Sequence, residues 1–117
     1  MNIPMNYVAF DIETTGLNPK YDKIIEIGAV RVRNGEPADT FSTFINPAKG
    51  LPARIVELTG IHDADVADAP YIDEILDVFL AFVGDDVLLG HNILFDYSFV
   101  KKAAANQRRT FERQGID

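Results

Sequence analysis

Apolar residues recur with period two over residues 7–13, where Val8, Phe10 and Ile12 alternate with other side chains, the pattern of a half-buried β-strand. Residues 23–33 form a second strand-like run rich in Ile and Val, and residues 39–45 a third in which Phe alternates with polar neighbours. Between these two lies Asn34-Gly35-Glu36, a hairpin signal because Asn and Gly tolerate positive φ. Asn46-Pro47 and Pro52 mark a loop, followed by a short helical segment over 53–58 that Gly60 stops. From Pro70 the period lengthens to that of a helix. Ile72, Ile75, Leu76, Phe79, Leu80 and Val83 share one face, Asp73, Glu74 and Asp77 lie opposite, and Gly84 ends the run. A short apolar strand over 87–89 leads through Gly90 to Asn92, an N-cap for a helix with Phe95, Phe99, Val100 and Ala103 on one side. The pattern carries that helix to Gln114, with Gly115 in the capping position. Strands first, then helix–strand–helix, predicts an α/β fold: a mixed sheet with helices packed on it.

A chain of 117 residues fits a single domain over 1–117, and 47% hydrophobic with 25% charged residues is the composition of a globular protein. The formal net charge of −7 argues against gripping a polyanion by charge alone. It does not argue against a nucleic-acid enzyme whose acidic site is neutralised by metal. With no cysteine there is no disulfide, zinc ribbon or thiol nucleophile. No apolar run of membrane-spanning length and no leader pattern occurs, so the expectation is a cytoplasmic protein without a membrane partner. Charge is uneven. Residues 1–100 carry 6 basic and 16 acidic groups, whereas residues 101–117 carry 5 and 2. Lys101, Lys102, Arg108, Arg109 and Arg113 in that tail read first as a solvated helix face, with cations toward the helix C-terminus, and secondly as a phosphate-facing stripe.

The first strand carries the chemistry. In YVAFDIE, Asp11 and Glu13 point to the face opposite Val8, Phe10 and Ile12, roughly 6–7 Å apart along the backbone. Strand interiors are depleted in such residues, and adjacent carboxylates raise each other's proton affinity. No basic partner lies nearby in sequence, so hard divalent cations such as Mg²⁺ or Mn²⁺ are the simplest counter-charge. The polar turn Thr14-Thr15-Gly16-Leu17-Asn18-Pro19 follows directly, at a strand's carboxyl end, where α/β folds tend to hold ligands. A second constellation, His91-Asn92-Ile93-Leu94-Phe95-Asp96-Tyr97, joins a buried strand to a helix and sets Asp96 about one turn inside. Taken alone, Asp96 is equally explained by compensation of the helix dipole, and His91 by backbone hydrogen bonding at a strand end.

Together these segments resemble the DEDD (DnaQ-like) family of 3′–5′ exonucleases, in the branch typified by the proofreading epsilon subunit of bacterial DNA polymerase III. Phe10 to Leu17 (FDIETTGL) resembles the first exonuclease motif of that family, and Gly90 to Asp96 (GHNILFD) the second. Leu58 to Ile61 (LTGI) matches the intervening loop that approaches substrate. The resemblance implies a ribonuclease H-like fold, with three antiparallel strands plus parallel strand, flanked by helices. It implies that Asp11, Glu13 and Asp96 are catalytic and ligate two divalent ions, Mg²⁺ or Mn²⁺. It further implies that Thr14, Thr15, Gly16 and Leu17 hold the 3′-terminal nucleotide of single-stranded DNA or RNA, with Asn92 and Phe95 lining the same pocket. In that loop the resemblance implies that Thr59 also contacts substrate. Ordinary core packing explains Leu17 and Phe95 nearly as well, and a helix stop explains Thr59 and Gly60 equally. A DNA polymerase is the partner the branch suggests.

The family also needs a third motif, a His with an Asp five residues later on a final helix, as general base and fourth metal ligand. No His follows Asp96; His91 belongs to the second motif, and His62 has Ala67 at the required offset. The expectation is therefore a domain lacking the last strand and helix, with slowed hydrolysis and exposed apolar surface that favours a homo-oligomer. The competing expectation is a non-catalytic nucleic-acid-binding or scaffold module of the same fold. A receiver-type phosphotransfer domain fits poorly, because a hairpin follows the first strand.

Overall fold

The computed structural model describes residues 4–117. In chain order the elements are β1 (Tyr7–Thr14), β2 (Ile24–Arg33), β3 (Glu36–Phe44), α1 (Ala53–Thr59), α2 (Asp63–Ala67), α3 (Ile72–Val83), β4 (Leu88–Leu89), α4 (Ile93–Asn106) and β5 (Gly115–Ile116). The sheet order is β3-β2-β1-β4-β5. The first three strands are antiparallel neighbours, and β4 and β5 run parallel to β1.

The β2–β3 hairpin turns at Asn34 and Gly35, whose φ values of 54° and 79° give the positive-φ pair that such a tight connection needs. β3 is the outer strand and mostly exposed; Pro37 and the charges of Glu36 and Asp39 blunt its free edge. On one face of the sheet, Val8, Phe10, Ile12, Ile27 and Ala29 meet Leu76, Phe79 and Val83 of α3 and Phe99, Val100 and Ala104 of α4. A smaller cluster of Ile25, Leu51, Ile55, Ile61 and Val66 gathers around α1 and α2. The spacing of apolar residues therefore explains both helices on the main face.

Two expectations about local structure are corrected. α4 stops at Asn106 rather than reaching Gln114. Its buried stripe ends at Ala104, and the polar run that follows offers nothing to bury until Phe111, which packs against Tyr97 with ring centroids 5.4 Å apart. Gly115 is not a cap but the start of β5, paired with Leu88; a Cβ there would press on Ile93 at 3.2 Å. α2 was not predicted at all. Its five residues are too short to show a period; the Asp65 carboxylate accepts from the His62 N–H at 2.8 Å, and the Asp65 N–H donates to the His62 carbonyl at 2.9 Å.

The basic tail is organised by specific partners and not by a helix dipole. Lys101 pairs with Glu112 at 2.8 Å, Arg109 with Asp77 at 3.0 Å, and the Arg113 Nε–H donates to the Gly84 carbonyl at 2.8 Å. Lys102 and Arg108 have no ion pair among the described residues.

Phe79 is fully buried between Phe10 and Phe41, at centroid distances of 5.8 and 5.5 Å. Phe79→Ala should destabilise the chain by about 3–5 kcal/mol in urea unfolding. A loss below about 1 kcal/mol would mean that α3 is not what seals this face.

Candidate active site

β1 alternates so that Asp11 and Glu13 stand on the face away from the main core, at the strand's carboxyl end. Opposite Asp11 in the ladder is Gly28, and opposite Glu13 is Glu26. A Cβ at Gly28 would meet nothing within 4 Å, so the space beside Asp11 is open. Asp11 is exposed, Glu13 half-buried, and Asp96 is 4% exposed.

Asp96 is tied to β1 through the residue between these two. The backbone N–H of Ile12, the residue between Asp11 and Glu13, donates to Asp96 Oδ2 at 3.1 Å. α4 is thereby fastened to β1 at the point where its carboxylates sit. Burial, and next the charge of Asp11, push the Asp96 carboxyl up to about 7, while the Ile12 N–H pulls the other way. Glu13 is also raised, first by burial and then by Asp11 and Glu26. No lysine or arginine charge enters the balance at either group. A donor set of carboxylate oxygens without a cationic partner fits a hard divalent ion. Among the described residues, however, no three His, Asp or Glu side chains close into a finished cage.

Next to Glu13 lies a cavity of about 500 Å³, whose lining includes neither Asp11 nor Asp96. Glu13, Thr14, Gly16 and Leu17 form one wall, α1 contributes Arg54, Leu58 and Thr59, and Phe95 comes from α4. Leu17 and Leu58 are 79% and 80% exposed, so neither is a core residue; they line the same cavity as apolar surfaces available to a flat ring. Phe95 is half-buried and tilted against Phe99 at 4.9 Å, so it serves packing and lining together.

The turn after β1 is locked internally. The Thr14 hydroxyl donates to the Gly16 carbonyl at 2.6 Å, and Thr15 Oγ1 accepts from the Lys23 N–H at 2.9 Å and donates to Asp22 at 3.4 Å. Asp22 also accepts from the Asn18 N–H at 3.0 Å. A Cβ on Gly16 would come within 2.4 Å of the Asp22 carboxylate, so a side chain here would push Asp22 off the bonds that lock the turn. Thr15 is 2% exposed and does not line the cavity.

Asn92 also stands outside the lining. It occupies the position before α4, yet with φ 54° and ψ 51° its side chain caps nothing. The Ile93 N–H is instead taken by Asp117 Oδ1 at 2.9 Å. Thr59 lines the cavity while its hydroxyl donates to the Ile55 carbonyl and accepts from the Ile61 N–H, so it is also part of the helix stop. Gly60 adopts φ 76° in that stop. Sequence reasoning passed over Arg54; the only signal was a single cation on a short helix next to the LTGI segment.

The model of the exonuclease family (RNase T) matches residues 8–112. The DNA polymerase III PolC-type protein of Clostridium perfringens is 49% identical over 111 residues, covering 95% of this chain and 8% of that protein. That of Staphylococcus aureus is 50% identical over 94 residues, or 80% of this chain and 7% of the relative. The chain thus spans less than a tenth of the length of these relatives. Among solved structures, E. coli exonuclease I in complex with a dT13 oligonucleotide superposes with a TM-score of 0.83 at 16% identity, covering 97% of this chain and 28% of that one. Exonuclease X in complex with 5′ overhanging duplex DNA gives 0.64 at 27% identity, covering 92% and 55%. The five-stranded mixed sheet is therefore the ribonuclease H-like fold of these exonucleases, and with the family match running from β1 through α4 and beyond, the chain belongs to the RNase T exonuclease family.

Proposed function

We propose that this chain is the catalytic portion of a metal-dependent 3′–5′ exonuclease that removes terminal nucleotides from a single-stranded nucleic-acid end. The observation that carries the reading is the Ile12 N–H bond to Asp96, which sets the buried Asp96 carboxyl where it feels the charges of Asp11 and Glu13, with Glu13 on the wall of a cavity that has apolar sides. Asp11, Glu13 and Asp96 would hold two Mg²⁺ or Mn²⁺ ions. When bound, such ions supply an activated water and charge stabilisation for the leaving 3′ oxygen.

The remaining roles belong to the chain. Leu17 and Leu58 offer apolar surface to the terminal base, Phe95 supports it from α4, and Thr14 and Gly16 present backbone at the cavity wall. Arg54 is an exposed cation on that wall, available to a phosphate. The PolC-type relatives support association with a DNA polymerase in the bacterial cytoplasm. A binding module without chemistry is the second reading, favoured by the lack, among the described residues, of three acidic or His side chains closed into a metal cage.

A 5′-labelled oligonucleotide incubated with the chain and Mn²⁺ should shorten stepwise from its 3′ end. The rate should be about 10²–10⁴-fold below that of an enzyme with a general base in place. Shortening from the 5′ end, or none at any concentration of folded protein, would sink the nuclease reading; binding that survives Asp11→Ala would then support the module.

Metal should also stabilise the fold. At a concentration about 100 times its dissociation constant, Mn²⁺ should add about 2.7 kcal/mol to unfolding stability, and Asp11→Ala should abolish most of that gain. Equal stabilisation of both proteins would place the metal elsewhere.

The pH dependence has a definite sign. Asp96 binds its proton more tightly folded, at about 7, than an unfolded aspartate does at about 3.9. The metal-free fold therefore loses stability as pH rises from about 4 to about 7, and metal affinity grows over the upper part of that window as the carboxylate is freed. Asp96→Asn should flatten this part of the stability profile. An unchanged slope, measured by urea unfolding across pH in EDTA, would show that Asp96 titrates normally.

A further inference from the structure

A second cavity, of about 230 Å³, lies on the other side of the turn that follows β1. Its floor is apolar, made by Ile24, Ile45, Ile72 and Phe99, and its rim carries Lys20, Lys23 and Lys102. In a chain of net charge −7 this gathering of cations is out of keeping with the rest of the surface. All three lysines are exposed, and none has an ion pair among the described residues. Asp22 shares the wall, but its carboxylate is already engaged by Thr15 and by the Asn18 N–H. Two exposed tyrosines accompany these cations: Tyr71 on the lining, and Tyr21 outside it, over whose ring Lys20 Nζ sits at 5.4 Å from the centroid.

The two cavities are neighbours. The turn over residues 16–23 contributes Gly16 and Leu17 to one and Lys20 and Lys23 to the other. α4 contributes Phe95 to the first and Phe99 and Lys102 to the second. From Phe95 to Lys102 the helix rises about 10 Å, the length of about three stacked nucleotides.

We propose that this second cavity is a contact for the nucleic-acid strand upstream of its 3′ end, beginning about three nucleotides from the terminus. Lys20, Lys23 and Lys102 face phosphates, and Tyr21 and Tyr71 offer stacking surfaces. Lysines act as point charges suited to a mobile phosphate chain, and exposed aromatics interleaved with cations are the usual means of holding a single strand without reading its sequence. An acidic peptide would use the same cations, but the exposed tyrosine rings and the adjoining first cavity favour a strand of bases. The inference rests on the reading that nucleic acid is the ligand, and it does not require hydrolysis.

The test is fluorescence anisotropy of 5′-fluorescein oligo(dT) of 2 and of 12 residues in EDTA over 50–200 mM salt. The proteins are the wild-type chain, the Lys20→Gln/Lys23→Gln/Lys102→Gln variant, and Lys49→Gln, which removes an exposed cation outside both cavities. For the 12-mer, the triple variant should bind at least ten-fold more weakly at 50 mM salt. Its slope of log K against log salt should be shallower by about 2, at about 0.7 per lost phosphate contact on a single strand. The 2-mer should change less than two-fold, and Lys49→Gln should match wild type for both. An unchanged slope, or an equal loss for both lengths, overturns the proposal. So does displacement of the 12-mer by an Asp-rich peptide at lower concentration than by unlabelled (dT)12. If the chain proves unable to hydrolyse DNA yet shows the lysine-dependent slope, the nuclease reading fails and this contact stands.

Discussion

One hydrogen bond organises this molecule's chemistry. The Ile12 N–H could have continued the sheet ladder or met water; it is given to Asp96, 84 residues away in sequence. Because Ile12 also buries its side chain in the main core, the bond is fixed on the strand side by packing. On the helix side, Phe99 and Val100 pin α4 to the same core. The carboxylates of two separate elements are thus brought together by apolar burial, and the electrostatic repulsion among them is borne by the fold. Repulsion of that kind is tolerated where something else holds the groups in place; it adds to burial, the larger cause, in raising the proton affinities of Asp96 and Glu13.

The turn after β1 has a comparable economy. Thr14, Thr15, Asp22 and Gly16 satisfy one another, so the turn holds its shape without help from a ligand. A preformed wall costs less to bind against than one that must be ordered. The same rigidity lets the turn serve two cavities at once, one beside Glu13 and one beside the lysines.

How much of this was readable before the fold was known differs from residue to residue. Asp11 and Glu13 were readable because a strand's alternation assigns faces and because adjacent strand carboxylates are unfavourable without a reason. Asp96 alone was not: an acidic residue in a first helical turn has an ordinary explanation, and only its match to the second motif singled it out. The end of α4 was misread because Gly115 mimics a helix cap, while the contact that decides the matter, Leu88 with Gly115, is far apart in sequence. Asn92 was placed correctly before the helix, but its left-handed backbone and the capping of Ile93 by Asp117 are tertiary facts. Thr15 looked available for substrate because a sequence shows a hydroxyl without showing what already holds it. The lysine cavity draws on four separate segments, and no local pattern could have announced it.

The bond between Ile93 and Asp117 has a consequence for dynamics. α4, which carries Asp96, begins at a backbone N–H held by the strand end that follows it, while β5 itself is anchored to β4 by two residue pairs. Fraying of β5 would release the first turn of α4, and with it the grip of Asp96 on the Ile12 amide. Protection of that single amide against hydrogen exchange thus reports whether the carboxylates are assembled, separately from whether the sheet is folded.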